Sequence, residues 1–432
     1  MRTSLFLRRI CLAACVPCLL SVPVCAEENS EATAKPTPAG APRTKRVRSI
    51  REGRPPMGYT IPVLDLSKEN ARQTIVDREK GQYLGSPSTV LLEDQRTMLV
   101  AYTKGHKAGP VLLKRSEDAG LTWSERLPTP KSWATSVDFP TLHRFADVQG
   151  KKRIVLFTGS YPARSSISGD DGKTWSELQD VGDWGGECAM ASTMHLEGSN
   201  DQYMAYFWDA GGFIFGGTLR SKYGTPMGEF SGYRIYQTRT RTGGVTWEDP
   251  MEVTSLADEE LCEPAAIRSP DGKEIALLMR NNSRRSNSYV VFSNDESESW
   301  GEPQELLGAL TGDRHLARYA PDGRLVVTFR DTTHFSRTRG DWIAWVGRYE
   351  DLLQGREGQY RVRLMDNHWR GDCGYGGVDV LPDGTLVATG YGHWVLDESP
   401  YIVSVRFKLE ELDRLAAKQA AESQKKDGKK AK

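Results

Sequence analysis

Charge of one sign is missing from this chain: 57 Lys and Arg balance 57 Asp and Glu. A nucleic-acid binder whose affinity rests on a strong basic field is thereby excluded. A cysteine framework is missing too. Of seven cysteines, Cys11, Cys15, Cys18 and Cys25 fall in the N-terminal segment. Cys188, Cys262 and Cys373 remain, an odd and widely spaced set with no C-x-x-C pair. That excludes a disulfide scaffold and a thiolate metal site, and leaves these cysteines as small fillers of tight positions. Long apolar runs are absent beyond the N-terminus, where residues 10–24 form a stretch too short to span a bilayer comfortably.

What is present begins with that N-terminus. Arg2, Arg8 and Arg9 precede the apolar run, and Val24-Cys25-Ala26 offers a small-residue cleavage site before Glu27. Residues 1–26 therefore read as an export signal, which implies a secreted or periplasmic protein with no transmembrane span after cleavage. Leu12-Ala13-Ala14-Cys15 has the composition of a lipoprotein box but falls too early in the apolar run, and the surroundings of Arg8-Arg9 do not suit a twin-arginine signal. Residues 27–58, rich in Ala, Pro, Thr and Lys, read as a disordered linker. At the other end, Leu409, Leu412 and Leu415 have helical spacing before a Lys-rich tail, so 409–432 reads as a short helix with a solvated basic end.

Between these ends the chain repeats itself. Six times an apolar stretch turns, often through Asp-Gly, into a second apolar stretch: 88–102, 141–158, 193–208, 265–279, 316–329 and 378–389. Asp-Gly between alternating apolar runs marks a hairpin. A second motif lies between the copies. Residues 116–123 and 168–175 both fit S-x-D-x-G-x-T-W; 293–300 is a decayed copy, and 240–247 is more decayed, with Thr242 in place of Asp. These are Asp-boxes: Ser and Asp bond the backbone of a tight turn, Gly takes positive φ, and Trp packs between sheets. They begin at Ser116, Ser168, Thr240 and Ser293, which is 52, 72 and 53 residues apart, one four-stranded unit each. The long interval implies an insertion at 210–230. The pattern predicts an all-β, six-bladed β-propeller of four-stranded antiparallel blades over 59–408, with the isolated stretch 59–66 supplying the last strand of blade six.

In a propeller the starts of the inner strands and the loops after the second strands meet at one mouth. The first set offers Asp138, Glu187, Glu263, Arg314, His315 and Tyr375; the second includes Lys104, His106, Arg280, Arg337, Arg339 and Trp394. Guanidinium, carboxylate and aromatic groups together suit a polar, anionic glycan. Here the chain resembles the exo-α-sialidases and their Asp-box relatives. Cys262-Glu263-Pro264 with Met279-Arg280-Asn281 is similar to the segment that carries the nucleophile's carboxylate partner and the second arginine of the sialidase triad. Arg339, with Arg337 as a near alternative, is similar to the third arginine, and Gly374-Tyr375-Gly376-Gly377 to the segment with the nucleophilic tyrosine. The resemblance implies a secreted exo-glycosidase that releases terminal sialic acid or a related acidic sugar. Tyr375 would be the nucleophile, Glu263 its base, and Arg280 and Arg339, or Arg337, contacts to the sugar carboxylate; position at the mouth adds Arg314, Lys104, Asp138, Glu187 and Trp394 as substrate contacts. The resemblance implies no cofactor and no catalytic metal.

Two elements of the family pattern are missing. Blade one opens with Tyr83-Leu84-Gly85-Ser86-Pro87, without an arginine, and the loop Thr103-Lys104-Gly105-His106-Lys107 has no aspartate to act as acid. Lys104 is the substitute for the charge and His106 for the acid. Three readings stay open: a sialidase or close relative; a propeller enzyme acting on another polysaccharide by hydrolysis or elimination; and a non-catalytic glycan-binding propeller.

Overall fold

The computed structural model describes residues 55–107, 109–215, 218–219, 232–369 and 371–430. The export signal, nearly all of the linker and most of the 210–230 insertion lie outside the described residues. The remainder is a six-bladed β-propeller of antiparallel sheets. The inner strands, in chain order, are Leu84–Leu91, Thr141–Ala146, Glu187–His195, Leu261–Arg268, Gly312–Tyr319 and Cys373–Val380. Each pairs with the strand that follows it, as the hairpin repeats predict. The cores lie between neighbouring blades. Leu99, Ala101 and Leu113 of blade one pack with Leu142, Ile154 and Leu156 of blade two, and Leu278 and Val290 of blade four pack with Val327, Phe329 and Trp345 of blade five.

Ring closure differs from the expectation. Stretch 59–66 does not complete blade six; its Val63–Asp65 runs parallel to Tyr360–Met365, the outer strand of blade five. Gln73–Asp77 instead pairs antiparallel with Tyr401–Phe407 and closes blade six. The reason is connection length. Gln73–Asp77 ends just before blade one begins at Leu84, so a short link joins the two sheets, and Val76 buries its side chain between them. Blade one has three regular strands. Its fourth position is filled by an irregular stretch in which Ser124 and Leu127 donate to the carbonyls of Arg115 and Leu113, both at 2.8 Å.

The S-x-D-x-G turns build themselves. Ser116 Oγ accepts from Gly120 N–H at 2.8 Å, and Asp118 accepts from Thr122 N–H at 2.8 Å and from its hydroxyl at 2.6 Å. The same set recurs at Ser168/Asp170/Thr174 and, with serine for threonine, at Ser293/Asp295/Ser299. In the copy without aspartate, Thr242 Oγ1 accepts the Thr246 N–H at 2.8 Å. The C-terminal helix spans Leu409–Lys430, longer than the short helix expected. It is docked by ion pairs from Arg72 to Glu411 at 2.6 Å and from Arg324 to Asp413 at 2.7 Å. No helix among the described residues is long and apolar enough to cross a membrane.

One backbone feature positions the mouth. Five inner strands slip register near their start, between Gly85 and Ser88, Glu187 and Ser192, Cys262 and Ala265, Asp313 and Leu316, and Gly374 and Gly377. At these bulges Ser86, Cys188, Glu263, Arg314 and Tyr375 take φ of 50°, 49°, 53°, 53° and 39°; Asp138 ahead of the blade-two strand has φ 66°. Non-glycine residues rarely hold that conformation, and the surrounding sheet must enforce it. A bulge re-aims the side chain it carries.

Candidate functional site

The floor of the mouth is built by blades four, five and six. The Tyr375 hydroxyl donates a short hydrogen bond to Glu263 Oε1. Arg280 Nη1 donates to the same phenol oxygen at 2.6 Å and to Glu263 Oε1 at 2.8 Å. Glu263 Oε2 accepts the backbone N–H of Arg314 at 2.9 Å. The Arg330 guanidinium lies 4.9 Å from the centroid of the Tyr375 ring, with Nη2 at 3.5 Å from the hydroxyl. Burial pushes the Tyr375 phenol well above its ordinary pKa; Arg280 pulls it down and Glu263 pushes it up. The phenol therefore stays protonated at rest. Glu263 is the hydrogen-bond acceptor of that proton, and Arg280 and Arg330 lie beside the phenol oxygen.

Asp313 ties this floor together. Fully buried, it takes Arg280 at 3.1 Å, Arg284 at 2.5 Å and Arg330 at 2.6 Å. Burial raises its pKa, but Arg280, Arg330 and Arg284 outweigh that and hold it well below the usual carboxylate range. The arginines of the floor thus converge on a carboxylate of the protein itself. Sequence reasoning missed Asp313, Arg284 and Arg330, although one signal was available. Arg330 faces Asp313 in the ladder of blade five as Arg280 faces Cys262 in blade four. Laying Phe329-Arg330-Asp331 over Met279-Arg280-Asn281 finds it.

The blade-one quarter is different. His106 Nδ1 lies 2.8 Å from the Tyr83 hydroxyl. Tyr83 and Tyr391 both donate to Asp372 Oδ1, at 3.0 Å and 2.7 Å. A carboxylate only accepts, so the Tyr83 oxygen is left to accept from His106 Nδ1–H. His106 lines the cleft, and its Nε2 has no hydrogen-bond partner among the described residues. Across from it, Lys107 lies 3.4 Å from Glu187, while burial pushes Asp138 up to about 6. The rings of Trp208 and Tyr233 stack at 5.1 Å and form an aromatic wall.

Two connected cavities result, sharing His106 and Arg330. One of about 400 Å³ holds Tyr375, Glu263, Arg280, Asp138, Glu187 and the aromatic wall. The other, about 730 Å³ and more open, is lined by Arg339, Arg284, Asp372 and Trp369 among others. Arg339 is exposed on this outer rim and makes no hydrogen bond to Tyr375 or Glu263; Arg330 holds the place beside the phenol that the sequence assigned to it. Arg337 is exposed and lines neither cavity. Lys104 is drawn to the flank by Glu79 at 3.0 Å, so it does not enter the mouth as expected. Trp394 packs under the blade-six loop, with its indole N–H on the Tyr401 carbonyl at 3.1 Å. Arg314 points into the channel below the floor. Cys188 and Cys262 are buried free thiols lining the smaller cavity, and Cys373 is buried and free, with its Sγ 3.2 Å from the Gly340 carbonyl. No cluster of His, Cys, Asp or Glu among the described residues is arranged to hold a metal.

No family model and no curated protein matches the chain. Solved structures do. A protein of unknown function from Dyadobacter fermentans aligns over 78% of this chain and 97% of its own, with a TM-score of 0.59 at 13% identity. The shared property is the fold. Structures with lower scores include a mutant of Trypanosoma rangeli sialidase displaying trans-sialidase activity, at 12% identity and TM-score 0.48 over 80% of this chain; the chain spans 60% of its length. A thermostable family-43 glycoside hydrolase aligns at 12% identity and TM-score 0.39 over 77% of this chain and 91% of its own. The neighbours are thus sialidases and family-43 propeller hydrolases at low identity.

Proposed function

We propose that this chain is an exported exo-glycosidase that removes a terminal sialic acid or a related acidic sugar from glycans. The observation that carries the reading is the Tyr375 hydroxyl held between Glu263 and Arg280 at the foot of a sugar-sized cavity. In the first step the Tyr375 oxygen attacks the anomeric carbon and its proton passes to Glu263. The glycosidic bond breaks, and the departing oxygen takes a proton from the His106 imidazolium. In the second step water gives a proton back to His106 and attacks the same carbon, and the Tyr375 oxygen leaves and recovers its proton from Glu263. A neutral nucleophile suits a sugar whose anomeric carbon bears a carboxylate, which would repel an anionic one. The basic N-terminal segment with its small-residue cleavage site supports action outside the cytoplasm.

A second reading is elimination on an acidic polysaccharide with His106 and Tyr375 as acid and base, favoured by the His106 Nε2, which has no hydrogen-bond partner among the described residues. A panel of aryl glycosides, a fluorogenic sialoside and acidic polysaccharides separates these. Release of a free terminal sugar that vanishes in Tyr375→Phe supports the first reading. An unsaturated uronate product moves the assignment to the second. Binding without turnover across the panel overturns both.

A further inference from the structure

Below the floor the six inner strands line a third, smaller cavity of about 110 Å³ that shares no lining residue with the two above. Its polar lining includes Thr89, Thr141, His143, Thr193, Arg314 and Arg318, and contains no carboxylate. Arg314 is only 8% exposed, and its guanidinium has no hydrogen-bond or ion-pair partner among the described residues. Its backbone N–H donates to Glu263, while Arg314 lines this cavity together with His143 of the opposite blade. His143 does not answer the guanidinium's charge. One ring nitrogen is bonded to the Met190 carbonyl at 3.0 Å and the other to Thr193 Oγ1 at 3.1 Å. Burial lowers its pKa to about 4, so it is neutral near pH 7. The hydroxyls of Thr89 and Thr193 donate to Asp379 and His143, which leaves the guanidinium as the strong donor facing the space.

Burying a cation without a counter-charge is unfavourable. A polar cavity with guanidinium donors and no carboxylate in its lining lowers that cost by admitting an anion. We propose that the propeller channel is a binding site for one small monovalent anion of chloride size, held by Arg314 beneath the floor. The cavity has room for such an ion and a few waters and none for a sugar acid. This inference does not depend on the catalytic reading, since the site lies on the other side of the Glu263–Tyr375 layer.

The test compares thermal unfolding of the full chain in sodium chloride and in sodium gluconate at equal ionic strength. An anion that binds only the folded state raises Tm, and saturation at about 100 times its Kd corresponds to a shift of a few degrees. The expected result is a higher Tm in chloride, reproduced by bromide, and abolished in Arg314→Met. Equal Tm values in chloride and gluconate overturn the proposal, as does a chloride-dependent shift that survives in Arg314→Met. Should that variant fail to fold, the chloride NMR linewidth of the unaltered protein decides. Broadening that bromide displaces supports the site, and no broadening above a buffer control overturns it. A Tm rise in formate equal to that in chloride supports the same site with a small carboxylate as its occupant.

Discussion

The Ser-Asp turns and the floor of the mouth are both hydrogen-bonded networks around carboxylates, yet they are assembled in opposite ways. In the turn at Ser116, every hydrogen bond of the Ser116 and Asp118 side chains lies within the segment 116–122. In the floor, Tyr375 meets Glu263 across 112 residues and Arg280 across 95. The turn is closed by covalent proximity, so its stabilisation is available as soon as the segment bends. The floor exists only once six sheets have closed into a ring. The turn therefore contributes to stability without touching chemistry, whereas the floor holds buried charges and a strained backbone that the ring must enforce.

Five experiments break or sharpen that contrast, taken from the largest expected effect downward. Tyr375→Phe should reduce turnover of any glycan substrate by about a thousandfold or more while Tm changes little, since the ring packing is kept; steady-state kinetics beside a melting curve checks both halves. Asp313→Ala should destabilise the fold by about 3–5 kcal/mol, because three guanidiniums lose their shared counter-charge. Urea denaturation measures this, and a loss comparable to a turn variant would place the floor on the same energetic footing as the turns. His106→Ala should slow glycosides with poor leaving groups by about a hundredfold and spare activated aryl glycosides, which need little protonation.

Asp118→Ala should cost about 1–2 kcal/mol, the worth of its bonds to Thr122 and Ser116, with kcat unchanged. The last experiment uses pH. Asp170 in a turn is held down to about 2 by the Thr174 hydroxyl first and the Thr174 N–H next. Its folded pKa is below the unfolded value, so its stabilisation is present above about pH 4 and is lost as pH falls towards 2. Asp138 in the mouth is raised by burial to about 6. It binds its proton more tightly when folded, so its contribution is greatest below about pH 4 and is lost as pH rises through 6. Stability against pH for Asp170→Asn and Asp138→Asn should therefore flatten in opposite windows, and matching windows would contradict the contrast.

Legibility in the sequence follows the same division. The hairpin repeats and the turn motif give the blade number, because each repeat is one sheet and its signals lie within it. Glu263, Arg280 and Tyr375 were readable from short motifs beside hairpins, since each sits at the start or end of a paired strand. Arg330 was readable only by laying one blade over the next. Arg339 was placed beside the phenol by its similarity to the family's third arginine, and Lys104 by its loop position as a substitute for a missing arginine; neither signal says which way a side chain turns, and Glu79 draws Lys104 to the flank.

The sequence by itself determined the repeat, the turns and the residue types that reach the mouth, because hydrophobic alternation and turn chemistry act over a few residues. Only the tertiary structure decided which strand closes the ring, which arginine stands against Tyr375, and that Asp313 gathers three of them. Those outcomes depend on the register between blades and on the burial of charge at their junction, and both are fixed only when all six sheets pack around one axis.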